Sequence, residues 1–303
     1  MDLLAANLIC VAMAVIFVGV LYLAPSDVAN LGRNDPRQIV WRMYALCGVS
    51  IVCPIIIYFC LDGHNRNGYI LLSKLGLLLS TDHDDSAAAA VEGYFGQVVV
   101  RWLFNGVVVP TIVTASLFLG PLLEAYYENI EFGRKESLLS ARRLYRRYTE
   151  DMVAVRAYIL APIFEEWVFR ACMIVVLKQI SDPESRLSTG AIALYSPLYF
   201  GVAHLHHVYN MVYKEKRSWK SSLIVCFVQF LYTSLFGSYV AYVFCRTNNV
   251  YGIIIQHSFC NFMGLPQPVW FRNPQHYLNK YSVILSFGYI FGIASFYCLI
   301  QYI

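Results

Sequence analysis

Charge is scarce in this chain: Asp, Glu, Lys and Arg together make up 14% of its 303 residues, where ordinary globular proteins carry about a quarter. So few charges cannot cover a soluble globule of this size. Intrinsic disorder is excluded too, because it requires low hydrophobicity and high net charge. The net charge of +4 is small and scattered, which argues against nucleic-acid binding. No N-x-S/T acceptor occurs, so glycosylation gives no clue to sidedness. The nine cysteines form no C-x-x-C pair and are irregularly spaced, mostly within apolar runs. They read as packing residues, neither a disulfide framework nor a zinc knuckle. What the chain has instead is apolar content: 58% hydrophobic residues and a mean hydropathy of +0.52. The expected fold class is an all-α, polytopic membrane helix bundle.

A membrane-crossing helix needs about 20 apolar residues. Residues 5–24 carry no charge, and with Asp2 ahead of them and no Lys or Arg they read as a true span rather than a signal peptide. Further spans are expected at 43–61, 102–127, 153–180, 190–213, 221–245, 249–265 and 282–303, eight in all. The short run 68–80, interrupted by Lys74, reads as interfacial. Basic residues gather in 128–152 (Arg134, Lys135, Arg142, Arg143, Arg146, Arg147) and in 214–220, whereas 81–97 has neither Lys nor Arg. Cytoplasmic loops carry the Lys/Arg excess, so the two basic loops are expected in the cytosol and both termini on the opposite side. No repeat, second domain or low-complexity linker interrupts residues 1–303.

Ionisable residues inside spans are costly and point to function. Three spans carry them, each with a pair four residues apart: Glu166 and Arg170, with Glu165 beside them, in APIFEEWVFR; Phe200 and His204 in YFGVAHLHH; and His257 and Asn261 in IIQHSFCNFMG. Residues four apart share one helix face. At 1.5 Å per residue, Glu165 is expected roughly 18 Å from the cytosolic end of its span, and His204 and His257 about 13 Å. Three helices thus deliver polar groups to one layer. Plainer roles exist: Glu166 and Arg170 as a neutralising ion pair, Asn261 as a helix-to-helix hydrogen bond, His206 and His207 as hydrated structural groups. His64, His83 and His276 fall in loops and carry no signal. Glu165, with a second carboxylate beside it, is suited to general-base work.

These motifs, EE-x-x-x-R, then F-x-x-x-H, then H-x-x-x-N in that order, resemble those of the CAAX prenyl protease 2 family, the Ras-converting endopeptidases, within the wider group of glutamate-dependent intramembrane proteases that includes bacteriocin-processing relatives. The likeness covers residues 161–264. Val208 stands where bacterial relatives often have Asn, and HLHH and HSFCNFMG look like the eukaryotic branch. The resemblance implies a single integral membrane protease domain over 1–303 that removes the C-terminal tripeptide from farnesylated or geranylgeranylated CAAX proteins such as small GTPases. It implies an endoplasmic reticulum membrane location, a site open to the cytosol, the lipid bilayer as partner, and no cofactor. Glu165 would activate a water with help from His204. His257 and Asn261 would stabilise the oxyanion, supported by Glu166 and Arg170. Three rivals remain at this level. A zinc protease could use His204, His257 and Glu165, although no H-E-x-x-H is present. A thiol protease could use Cys172 or Cys260, and a non-enzymatic scaffold or transporter could use buried charges only to hold helices together.

Overall fold

The computed structural model describes residues 1–61, 66–78, 92–132, 150–180 and 185–303. The expected basic loop around Arg134–Arg147, the Lys/Arg-free stretch before residue 92, His64 and His83 lie outside these, wholly or nearly so. Among the described residues the secondary structure is helical, with no strand. The main helices are α1 (Leu3–Tyr22), α2 (Pro36–Cys60), α3 (Gly68–Lys74), α4 (residues 92–117), α5 (Leu119–Phe132), α6 (residues 152–178), α7 (Thr189–Ala203), α8 (Trp219–Thr247), α9 (Val250–Met263) and α10 (Tyr277–Tyr302), with shorter helical segments at Ser26–Ala29, residues 206–214 and Val269–Arg272.

Among the described residues five segments are long and apolar enough to cross a membrane: α1, α2, Val98–Leu117 of α4, α8 and α10. The other spans expected from the sequence take a different form, for identifiable reasons. The 102–127 run breaks at Phe118, between α4 and α5. Helix α6 is helical throughout but carries Arg156, Glu165, Glu166, Arg170 and Lys178. Helix α9 has only 14 residues, or about 21 Å at the α-helical rise, short of the roughly 30 Å hydrocarbon core. Helix α7, of 15 residues, is interrupted by a turn at His204 and Leu205 before the chain resumes as helix over residues 206–214. All three helices bearing the polar motifs therefore depart from an ordinary span.

Helix α6 occupies the middle of the bundle. Residues 168–177 are all buried, the pattern of a helix enclosed on every side. Around it stand α1, where Cys10 lies 3.8 Å from the Met173 carbonyl, and α2, where the Ser50 carbonyl accepts from Trp167 Nε1 at 2.9 Å. Helix α7 is joined to α1 by Tyr195 and Tyr199, which both donate to Asn7. An enclosed helix need not present an apolar surface to lipid, which explains how α6 tolerates its charges. Outward faces are apolar instead: Leu235, Phe287 and Tyr297 are 74%, 70% and 79% exposed.

Helix α9 is set by a tight corner. Asn248 ends α8 in the left-handed region (φ 45°), and its amide donates to the Ser73 carbonyl at 2.7 Å. Asn249 then caps α9 by accepting from Gly252 N–H at 3.0 Å. Gly252 rests directly on α4: a Cβ there would stand 1.8 Å from the Gly106 carbonyl oxygen. Away from this corner, Glu124, Glu128 and Glu131 of α5 accept from Tyr289, Tyr277 and Tyr281 of α10. Trp270 also donates to Glu124.

Candidate active site

The backbone of α6 is reshaped before it reaches its two glutamates. Pro162 has no N–H and crowds the turn before it, and Arg156–Leu160 widens into a π turn in which Ala161 N–H reaches back to the Arg156 carbonyl. The Ala157 carbonyl thereby loses its donor from within α6. Asn261 Nδ2 of α9 donates to it instead, at 3.0 Å. A second π turn, Trp167–Cys172, follows immediately after Glu166 and carries Arg170. Single π turns inside α-helices are frequent at functional sites.

Glu166 and Arg170 are the most deeply buried charges of the site, at 0% and 1% exposure, and pair at 3.2 Å. The Phe200 ring lies 4.3 Å from the guanidinium carbon, a cation–π contact on the apolar side. Gly237 of α8 makes room for the group, since a Cβ there would come within 2.6 Å of Arg170 Nη2. The ion pair expected from spacing is present, and Glu166 does more than neutralise Arg170. Its Oε1 also accepts from His257 Nδ1 at 2.6 Å, joining residues 91 positions apart. That bond fixes the imidazole and turns Nε2 toward Glu165, whose Oε2 lies 3.7 Å away. Such a gap is wider than a hydrogen bond, so the two groups stand side by side without a direct bond.

His204 caps the end of α7, and its Nδ1 lies 2.8 Å from the Phe200 carbonyl. A carbonyl only accepts, so Nδ1 carries the proton and Nε2 is left as an acceptor. Glu165, His204, His257 and Asn261 all line one cavity of about 870 Å³, bounded by α1, α2, α6, α7, α8 and α9. Glu166 and Arg170 sit behind it. The side chain of Glu165 remains 22% exposed, whereas that of Glu166 is closed off. The site thus holds one accessible carboxylate, one imidazole acceptor, one amide donor, and a second imidazole whose Nε2 donates when the ring carries both its protons.

His206 and His207 also line the cavity; the Nδ1 of His206 is 2.6 Å from the Ala203 carbonyl. His276 lies elsewhere, capping the turn into α10. Cys172 is fully buried, and Cys260 is on the cavity wall. Among the described residues no three His, Cys, Asp or Glu side chains form a cluster able to hold a metal ion, so the zinc arrangement weighed for His204, His257 and Glu165 is not assembled.

Three charged cavity residues escaped the sequence reading: Arg33, Arg42 and Arg156. Their only signal was their position at loop and span ends, where basic residues are expected for topological reasons alone. Gly237 and Phe236, whose ring centroid is 5.1 Å from that of His257, had no signal.

A family described as type II CAAX prenyl endopeptidase Rce1-like matches residues 151–263, the stretch that contains all three motifs. Among curated proteins, the human CAAX prenyl protease 2 is 31% identical over 96% of this chain and 79% of its own length. The protein of the same name from Arabidopsis thaliana is 28% identical over 85% and 78%. That from Saccharomyces cerevisiae is 27% identical over 84% and 80%. No solved structure gives a significant match.

Proposed function

The chain belongs to the CAAX prenyl protease 2 family, and from that premise we propose that this membrane-embedded CAAX prenyl endopeptidase hydrolyses the peptide bond after a prenylated cysteine, releasing the last three residues, with Glu165 as general base. The substrates are prenylated CAAX proteins, small GTPases among them. The protease domain is taken as residues 1–303, with the reacting groups within 161–264. The setting is the endoplasmic reticulum membrane with the cavity open to the cytosol, supported by the Lys/Arg-rich 214–220 segment and by the requirement that prenyl chains stay in lipid.

The observation that carries this reading is the convergence of Glu165, His204, His257 and Asn261 on one cavity while Glu166 and Arg170 stay behind it. A water bound between Glu165 and His204 Nε2 gives one proton to the carboxylate while its other hydrogen points to the imidazole. Its lone pair is then aimed at the cysteine carbonyl carbon. Attack forms a C–O bond and pushes the carbonyl electrons onto oxygen. That oxyanion lies against the second N–H of Asn261 and against His257 Nε2, which donates when the ring carries both its protons, groups fixed in advance by the Ala157 carbonyl and by Glu166. Collapse breaks the C–N bond, and Glu165 returns the proton to the departing amine. The products are a prenylcysteine carboxylate and a free tripeptide.

The test is cleavage of a farnesylated C-a-a-X peptide by the purified protein, with release of the tripeptide read by mass, against Glu165→Ala of matched folding. Loss of a general base is expected to slow turnover on the order of 10²–10⁴-fold. Equal rates in the two proteins remove Glu165 from the mechanism, and no cleavage by either leaves the non-enzymatic scaffold.

A further inference from the structure

Arg33, from the loop before α2, Arg42, in the first turns of α2, and Arg156, at the start of α6, line the same cavity as the reacting groups. They form one cluster: Arg156 donates to the Arg33 carbonyl at 2.6 Å and to Asn34 Oδ1 at 3.1 Å, and it lies within electrostatic reach of both other guanidinium groups. None of the three pairs with a carboxylate among the described residues. Arg42 Nε is buried without a hydrogen-bond partner. Three like charges facing one cavity, with donors unused, make a site for an anion. Arg170, the other candidate for that duty, is sealed behind the cavity by Glu166 and Phe200.

We propose that Arg33, Arg42 and Arg156 bind the free α-carboxylate of the substrate's last residue and so measure the three-residue length of the fragment removed. The proposal rests on the reaction assigned above and adds the determinant of its register. Distances support it. Arg156 precedes Glu165 by nine residues on α6, about 13 Å along the helix. Three extended residues span about 10 Å, and the arginine side chain covers the difference. A tail held by its carboxylate at this cluster lays the bond three residues upstream over Glu165. The α-carboxylate is also the one charge that every such tail carries, whatever its side chains, so a cluster of guanidiniums recognises the class without reading its sequence.

The experiment compares a farnesylated C-a-a-X peptide with its C-terminal amide, for wild type, Arg42→Gln and Arg33→Gln, in phospholipid nanodiscs and in phospholipid-free detergent. Amidation is expected to lower wild-type kcat/KM about ten- to hundredfold, mainly through KM, the scale of losing hydrogen bonds to a charged group. Each variant should cut the acid more slowly than wild type does and discriminate less between acid and amide. If wild type cuts both peptides equally, this inference falls while the reaction stands; if wild type cuts neither, the reaction itself falls and this inference with it. Variants that slow both peptides alike, with the loss confined to nanodiscs, assign the arginines to a headgroup phosphate and overturn the proposal. A loss shared equally in both media assigns them to the fold and overturns it too. Arg156→Gln is secondary, because its bonds to Arg33 and Asn34 also tie α6 to the loop.

Discussion

Replacing Glu166 by Gln isolates the buried charge at the centre of the site. The substitution keeps the shape of the side chain and a carbonyl oxygen that still accepts from His257 Nδ1, but it removes the one carboxylate that pairs with Arg170 among the described residues, 3.2 Å away. Arg170 is 1% exposed, so water cannot replace the lost partner. Breaking one side of a buried pair costs about 3–5 kcal/mol, and at a few degrees per kcal/mol the unfolding midpoint should fall on the order of 10 °C. Thermal unfolding in detergent micelles, followed by tryptophan fluorescence, reads this directly. The double variant Glu166→Gln, Arg170→Met removes the stranded charge and leaves an apolar side chain against Phe200. It should regain more than half of the lost stability while remaining inactive, since His257 no longer has an ionised partner. A Glu166→Gln protein that melts with wild type, or a double variant whose losses simply add, would refute the view that each charge holds the other in the bundle.

Further outcomes follow from the packing around the site. Gly252→Ala places a methyl group 1.8 Å from the backbone oxygen of Gly106, so α9 must move off α4; the protein should express poorly or lose activity in parallel with its unfolding midpoint, whereas Gly48→Ala, with open space around it, should leave both unchanged. Asn261→Ala should lower kcat about 10²–10³-fold with little change in KM; a fall in unfolding temperature with kcat retained would reduce Asn261 to a strut beneath Ala157. Exhaustive chelation should leave kcat/KM within about twofold, as expected where no metal-holding cluster is assembled among the described residues; inactivation reversed by Zn²⁺ alone would refute this.

The sequence displays the site's chemistry more clearly than its architecture. Spacing of four puts Phe200 beside His204 because an α-helix repeats every 3.6 residues, and Glu166 and Arg170 still meet at that spacing although a π turn lies between them. The hydrogen bond from His257 to Glu166 depends on how α9 meets α6, which is fixed by the Asn248–Asn249 corner and the bare backbone of Gly252. No local pattern encodes that meeting. Hydropathy likewise marks residues 190–213 and 249–265 as apolar without showing that the first breaks into a turn at His204 and Leu205 or that the second helix stops at Met263. Pro162 did carry readable information, since a missing N–H must open the turn before it; Asn261 as the group that repairs the opening comes from another helix. The arginine cluster assembles from residues 33, 42 and 156, each explained locally by its place at a span end, and only tertiary proximity gives the three a common purpose.

The shortness of α9 bears on the membrane as much as on the protein. It carries outward-facing apolar side chains, Tyr251 and Ile255, yet covers only about 21 Å of a hydrocarbon layer near 30 Å. A wall too low for its bilayer makes the lipid beside it thin, or draws headgroups inward, at a fraction of a kcal/mol per ångström. A substrate anchored by its prenyl chain drifts in that leaflet with its cysteine at the level of the headgroups. Where the leaflet dips, the cysteine descends with it and arrives near the depth of Glu165 without being pulled out of lipid. Delivery by such a dip predicts that cleavage slows in membranes of shorter acyl chains, where there is no dip to descend.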